Sequence, residues 1–514
     1  MVIIMKTINQ VFFITLLMCM CHFVSAASIP FPMPEGYFVK AKMPMHLVYP
    51  RSDAETQAHA RHRWAHPAMA YEIPIGVQGG AWPFKYELIK APAGAKMGSL
   101  YGENNYGSIT WTPTATSGEE EFVVRITDQE LKTVEARWKV KIDPSMFVFV
   151  KAGATGTKTG SITSPLSSIA DWYKSPTDNS FHNKIIVFRG GNYNLVGDPA
   201  DRDNLRLLAE DKTPSWIGFP GEEPIIDAST AKVMVGNLLD MFVSGITFKN
   251  ARQDVGNAHY FWLTGNVSRA TFWRNHFRDM GPGLVGADNT GPVFISSTTT
   301  VKTNILYKEN NHTGIENRGY NGHYLDVYRA SYVLVEQNNA SNSNSAHGFW
   351  MKATVSFVSV RANTAYDNVS GGQITVGYGG ETIDIPHSHE ICWNRVAVPS
   401  NQDGPAMLIA GSNSNQGISY NTYLYRNTIV NGISVIRFMG KTPFETDANV
   451  IITSKPVHWN LAEMKTTIPN VVGSPLAGLV SGQKSRVTGS DFGKVGADVA
   501  VISPPAAPTD PKSN

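Results

Sequence analysis

Between residues 29 and 145, hydrophobic and polar positions alternate in short runs: Lys85-Tyr-Glu-Leu, Gly107-Ser-Ile-Thr-Trp-Thr-Pro, Glu121-Phe-Val-Val-Arg-Ile-Thr-Asp and Arg137-Trp-Lys-Val-Lys-Ile-Asp. A period of two between Gly, Pro and Asn punctuation predicts half-buried antiparallel strands of a small β-sandwich. No cluster of acids, bases or metal ligands interrupts these runs, which points to a structural or docking role. From Phe147 the texture changes to β-branched runs that each close on an asparagine: ITFKN at Asn250, TFWRN at Asn275, ILYKEN at Asn310, YVLVEQN at Asn338, FVSVRAN at Asn363, EICWN at Asn394 and YLYRN at Asn427. A β-rich repeat every 25 to 35 residues, without helical periodicity, predicts a solenoid whose coils share one core because none can bury its apolar face alone. The recurrent Asn can form a ladder at a corner, its amide bonding from coil to coil.

A first strand precedes each Asn-ending strand. The inward pairs Phe261/Leu263, Val293/Ile295, Leu325/Val327, Phe349/Met351, Ile374/Val376 and Met407/Ile409 place these first strands in register. Residues between and beside the pairs then point outward: Tyr260, Trp262 and Thr264; Phe294 and Ser296; Tyr324, Asp326 and Tyr328; Trp350 and Lys352; Gln373 and Thr375. The same register sets His323 beside His347, Asp326 beside Trp350 and Tyr328 beside Lys352, on strands about 4.8 Å apart. Arg318, Tyr320 and Arg329 fall in the flanking loops. Aromatic faces among hydroxyls and charges suit a sugar chain, so the column reads as a saccharide-binding groove. The competing reading is that a loop, the N-terminal module or a second subunit covers it.

Composition narrows the class. Of 514 residues 42% are hydrophobic and 17% charged, with 45 Gly, which fits a globular chain. A net charge of +2 gives no excess that would mark a nucleic-acid or membrane-surface partner. Lys6, the apolar run from Val11 to Val24 and the small residues to Ala26 read as a signal peptide over residues 1–26, too short an apolar run to span a bilayer. Its removal takes Cys19 and Cys21 and leaves Cys392 alone, so the expectation is a secreted or periplasmic monomer without an internal disulfide and without membrane insertion after cleavage. Residues 497–514 are Pro-rich and polar and read as a flexible tail.

Three stretches resemble known families. GSITWTPT followed by EEEFVVRITDQ resembles the cadherin-like, immunoglobulin-like modules found beside catalytic domains in polysaccharide-degrading enzymes, over Ala70 to Asp143. FVFVKAGATGTKTGSITSPLSSIADW, with SWIGFPGEEPIIDAS, resembles the entry of the right-handed parallel β-helix of pectate-lyase-like proteins. That resemblance runs from Phe147 to about Gly496. It implies an all-β chain with about ten coils and a capping helix near Leu166 to Tyr173. FWMKATVSFVSVRANTAYDNVSGGQITVGYGG is similar to the catalytic coils of the chondroitinase B and alginate lyase family, where a strand-ending Lys is the base and an Arg one coil later assists. The resemblance assigns the base to Lys352, whereas Gly377 and Tyr378 stand where that Arg would be.

Cleavage of a uronate polymer by β-elimination requires a cation on the carbon-6 carboxylate, a base for the carbon-5 proton and an acid for the departing oxygen. The expected function is therefore a polysaccharide lyase acting on an acidic polysaccharide such as alginate, pectate or a glycosaminoglycan. Its candidate catalytic residues are Lys352, His347, Tyr328 and Arg329. Substrate contacts are expected from His323, Asp326, Trp350, Tyr324, Trp262, Arg318, Tyr378 and His387, and Asp326 could also join a Ca²⁺ site. Inverting hydrolysis wants paired carboxylates, and only Asp326 stands on the column. Epimerisation would use Asp384-Ile-Pro-His-Ser-His389, read otherwise as a loop between coils. A non-catalytic adhesin would keep the aromatics without needing the Lys, His and Tyr cluster.

Overall fold

The computed structural model describes residues 31–98, 107–173, 181 and 183–198, and from 204 to 473 chiefly the strands and their adjoining corners, some by backbone alone. The signal segment, Arg318 and the Pro-rich tail lie outside the described residues. No helix among the described residues is long and apolar enough to cross a membrane.

The chain from Phe147 winds into a right-handed parallel β-helix with three ladders. Sheet A holds 12 strands from Phe147–Val150 to Met464–Lys465, sheet B holds 11 from Gly191–Asn194 to Val471–Gly473, and sheet C holds nine from Asn204–Leu208 to Ile436–Met439. Each coil runs through C, A and B, as in Phe261–Thr264, Thr271–Trp273 and His276–Met280. The inward pairs from Phe261/Leu263 to Ile374/Val376 lie in one apolar core that runs the length of the solenoid. At its N-terminal end a single-turn helix, Ile169–Trp172, covers the first coil; its Ser168 and Asp171 form a capping box.

The turn from A to B explains the Asn repeat. The residue before each ladder Asn adopts left-handed backbone: Arg274, Glu309, Gln337, Ala362, Trp393, Arg426 and Ala448 have φ between 53° and 59°. The next residue is an Asn whose Nδ2 donates to Oδ1 of the Asn one coil on. The chain of bonds runs Asn275–Asn310 at 3.0 Å, Asn310–Asn338 at 3.1 Å, Asn338–Asn363 at 2.9 Å, Asn363–Asn394 at 3.0 Å, Asn394–Asn427 at 3.0 Å and Asn427–Asn449 at 2.9 Å. Asn250 is not part of it. It follows a sheet B strand, Thr247–Lys249, and donates to Asp227, while Ile246 fills the ladder position of that coil.

Residues before Phe147 form a small sandwich, antiparallel except where Trp64–Ala65 runs parallel to Thr133–Ile142. A four-stranded sheet, Trp64–Ala65, Thr133–Ile142, Gly118–Thr127 and Lys85–Lys90, packs on a three-stranded one of Tyr71–Pro74, Ser108–Trp111 and Lys96–Met97. Alternation in Thr133–Ile142 sends Ala136, Trp138, Val140 and Ile142 inward. Trp138 stacks on Phe122 at 5.3 Å and donates to the Tyr71 hydroxyl at 2.9 Å.

This sandwich covers the outer face of sheet A. His46 stacks on Tyr332 at 4.1 Å, Trp82 meets Trp393 at 5.2 Å, Lys42 reaches Glu445 at 2.6 Å, and Gly76 lies against Leu306 and Leu334. Under it, register aligns Lys308, Glu336 and Arg361 on successive strands. Glu336 accepts from Lys308 at 2.7 Å and from Arg361 at 2.8 Å, and Glu390 accepts from Ser359 at 2.5 Å and Tyr425 at 3.0 Å. Arg361 also donates to the carbonyls of Val77 and Gly79 in the sandwich. Burial opposes the Glu336 carboxylate, yet Lys308 and Arg361 outweigh it and hold its pKa below the usual range; the Glu390 carboxyl is instead pushed up by burial.

Candidate functional site

Sheet C carries the expected register: Trp262, Phe294, Asp326, Trp350 and Thr375 follow one another on successive strands, and Tyr328 pairs with Lys352. One departure is a bulge after Met351, where Gly377 is the extra residue and Lys352 pairs with Tyr378.

The column is not the open groove expected for it. Phe294, Asp326, Trp350 and Thr375 are 6%, 2%, 3% and 0% exposed, whereas Trp262 is half-buried. The sandwich is not what covers these residues, since it sits on sheet A. Tyr260 and Tyr324 do not face outward at all. Each belongs to the solenoid core, because the residue ahead of the strand turns inward at the corner together with the strand's first residue. Tyr324 packs 5.7 Å from Phe349 and 5.1 Å from His312, and Tyr260 donates to the Arg278 carbonyl. Gln373, expected on the outward column, is likewise fully buried.

At the N-terminal edge of the column, His323 brings Nε2 within 3.5 Å of Asp326 Oδ2 and sets its ring edge-on to Trp350 at 4.3 Å. An imidazole beside a carboxylate can hold or pass a proton. It is a poor start for a calcium site, which takes six to eight oxygens. No group of three or more His, Cys, Asp or Glu able to hold an ion gathers among the described residues.

His259, two coils back on the same edge, stacks on Phe294 at 4.9 Å and its Nδ1 lies 2.9 Å from the Gly291 carbonyl. Burial, aided by Lys232, drives its pKa down to about 3. The folded protein therefore refuses a proton that the unfolded chain accepts below about pH 6.5, so stability is complete above that pH and falls toward about pH 3. Urea unfolding is expected to lose about 1.4 kcal/mol per pH unit to this one group across that window. His259→Gln is expected to flatten the slope, and an unchanged slope would assign the acid sensitivity elsewhere, for instance to His62, whose pKa burial also lowers to about 3.

The more accessible stripe lies two residues toward the strand ends. Thr264, Ser296 and Tyr328 are half-buried, and Lys352 continues the line by pairing with Tyr328. Trp262 closes this stripe at one side, with its Nε1 donating to Ser296 at 3.4 Å and Lys232 over its ring at 5.2 Å. Tyr328 sets its ring edge-on to Phe294 at 5.6 Å. Arg329 follows in left-handed backbone at φ 48° and forms the corner into sheet A.

Of the remaining candidates, His347 opens the strand His347–Lys352 opposite Gly372, and Tyr378 ends the strand after it. His387 is not in a loop between coils. It begins the sheet A strand His387–Cys392, paired with Ser356 and Tyr420, away from the sheet C column. The side chains of Lys352, His347, Tyr378 and His387, like Arg318 as a whole, lie outside the described residues.

The residue that sequence reasoning missed is Lys302. It is fully buried, its backbone N–H donates to the Arg329 carbonyl at 3.0 Å, and its Nζ has no hydrogen-bond partner. Burial, followed by the charge of Arg329, lowers its pKa to about 8. The signal was present in register: Lys302 pairs with Ala330, a core residue, so a charge occupies a position that the next coil fills with an apolar group.

No protein-family model matches the chain, and no curated protein matches it by sequence. Among solved structures it is similar to the Yersinia enterocolitica family 28 exopolygalacturonase, at 10% identity over 79% of this chain and 97% of that one, with a TM-score of 0.33.

Proposed function

We propose that the protein cleaves an acidic polysaccharide by β-elimination, along the stripe that runs from Trp262 through Ser296 and Tyr328 to Lys352. The observation that carries this reading is the register at one corner: Tyr328 pairs with Lys352 across coils, and Arg329 follows Tyr328. A uronate carboxylate held by cations acidifies its carbon-5 proton, a lysine or histidine removes that proton, and a phenol can protonate the glycosidic oxygen as its bond to carbon 4 breaks. Lys352 and His347 take the role of base, Tyr328 that of acid, and Arg329 that of carboxylate binder. Trp262 offers a flat face for a sugar ring. Along the described column Asp326 is one carboxylate among aromatic and hydroxyl neighbours, which favours elimination over a mechanism built on two acids.

Incubation with alginate, pectate, polyglucuronate and glycosaminoglycans tests the reading. Ultraviolet absorbance of the new carbon–carbon double bond is the expected outcome on one of these polymers. New reducing ends without that absorbance would mean hydrolysis, and neither signal combined with retention on immobilised polymer would mean a binding protein. Lys352→Ala and His347→Ala are each expected to lower turnover on the order of a hundredfold with thermal unfolding unchanged. A variant with full activity removes its residue from the chemistry.

A further inference from the structure

Four of the chain's 14 histidines fall between positions 46 and 66, and three of these stand in the joint between the sandwich and the solenoid. His46 stacks on Tyr332, and its Nε2 lies 2.9 Å from Asn304 Oδ1. His66 sets its ring edge-on to Phe147 and Phe149 of the first sheet A strand, at 5.3 and 5.0 Å, and its Nδ1 accepts from the Ala68 N–H at 3.1 Å. His62 lies edge-on to Tyr49 at 5.4 Å, and Tyr49 in turn stands 5.7 Å from Phe242 of sheet A. Tyr49 and Val77 from the sandwich side share one apolar cluster with Phe242, Leu306 and Leu334 of sheet A.

The surroundings of these rings oppose a proton. Burial lowers the His62 pKa to about 3, helped by Arg63 and Arg61 beside it and by Arg269 at the solenoid corner, where Arg269 pairs with Asp240; a backbone bond with Arg51 pulls weakly the other way. Burial, seconded by Arg51, lowers the pKa of His46 against the pull of Asn304 and Glu55, and burial lowers that of His66.

We propose that this joint is an acid-opened switch: below about pH 5 the sandwich parts from sheet A while the solenoid keeps its coils. A histidine that is neutral in the closed joint and solvated in the open one takes its proton on opening. Closure is therefore complete above about pH 6.5 and weakens toward about pH 3, tenfold per unit for His62 alone and about a hundredfold by pH 4.5. In the same joint Glu336, held low by its two cations, adds to the loss at lower pH, whereas Glu390, pushed up by burial, opposes it. Within the coils His312 refuses a proton as well, yet it can take one only if the coils come apart, whereas the joint can part with every Asn ladder bond intact. The joint borders the candidate site, since Tyr332 lies three residues beyond Arg329, so opening frees the corner beside the stripe.

The molecule carries its own reporter. Cys392 is buried in an apolar cluster with Met33, Val39 and Trp82 from the N-terminal part and Trp393 and Tyr425 of the solenoid, so opening the joint uncovers its thiol. The full chain is treated with dithiodipyridine at about pH 7 and about pH 4.5 at matched ionic strength, against a cysteine peptide as reference, and labelling is read on the peptide that contains Cys392. Relative to the reference, labelling is expected to rise about a hundredfold or more on acidification, with the amides of Asn338 and Asn394 still protected from hydrogen exchange. His62→Gln is expected to remove about a hundredfold of that rise, and His46→Gln and His66→Gln smaller parts, which serve if His62→Gln does not fold. The proposal is overturned if labelling stays flat, if it rises only together with loss of protection at the ladder, which means global unfolding, or if every folded histidine variant rises as the wild type does.

Discussion

Replacing Arg361 with methionine is expected to destabilise the protein by about 3 to 5 kcal/mol, because a buried ionic set broken from one side is left undercompensated: Glu336 keeps Lys308 but loses its second cation, and the Val77 and Gly79 carbonyls lose their donor. The guanidinium joins three things: Glu336 in the neighbouring coil, Glu390 at 3.8 Å in the next, and the carbonyls of Val77 and Gly79 in the sandwich. Its loss takes away the cation that lies between these two buried carboxylates. Urea unfolding followed by circular dichroism measures the cost, and limited proteolysis shows whether the sandwich loosens from sheet A first. A midpoint equal to the wild type would show that the network contributes nothing net. Replacing Lys308, Glu336 and Arg361 together with apolar residues of similar volume is expected to recover much of the loss, since the full ionic set is costly to bury as well.

Asn363→Leu is the second large effect. The Asn363 amide donates to the Val335 carbonyl and to Asn394, both at 3.0 Å, and its Oδ1 accepts from the backbone N–H and the Nδ2 of Asn338, both at 2.9 Å. Four buried bonds vanish and their partners remain dry, so the expected cost is about 4 kcal/mol or more. Hydrogen exchange checks the location as well as the size. Amides of the A-to-B corners at 338 and 394 are expected to lose protection, while the sandwich amides keep theirs. Uniform loss across the chain would mean that the ladder is not a local clamp but part of one cooperative unit.

Much of this architecture is legible in the sequence. A period-two strand has one inward face, and pairs such as Leu325/Val327 and Phe349/Met351 fix its register without any knowledge of the turns, which is why Asp326 meets Trp350 and Tyr328 meets Lys352 as expected. The Asn ladder is readable because a residue that bonds to its own copy one coil on must recur once per coil. The errors have physical causes. Tyr260 and Tyr324 break the alternation because a corner lets two consecutive residues turn inward. Asn250 follows a sheet B strand whose composition resembles a sheet A strand. His387 looked like loop because Pro386 and its neighbours mask the start of a strand. The docking of the sandwich was hidden for a different reason: Lys308, Glu336 and Arg361 alternate with core residues as solvated charges would, and only the sandwich carbonyls 282 and 284 residues away from Arg361 show that they are dry. Lys302 escaped notice because a single lysine before a β-branched run carries no pattern.

The contact between Lys42 and Glu445 spans 403 positions. The segment synthesised early thus completes its bonds only when nearly the last described strands have formed, and contacts of such separation are slow to close. Until residues 306–361 have been made, the underside of the sandwich, with the carbonyls of Val77 and Gly79, has no counterpart. A growing chain must carry that sticky face past every intermediate length, so the order of chain delivery, rather than coil stacking, sets when the molecule becomes safe from misassociation.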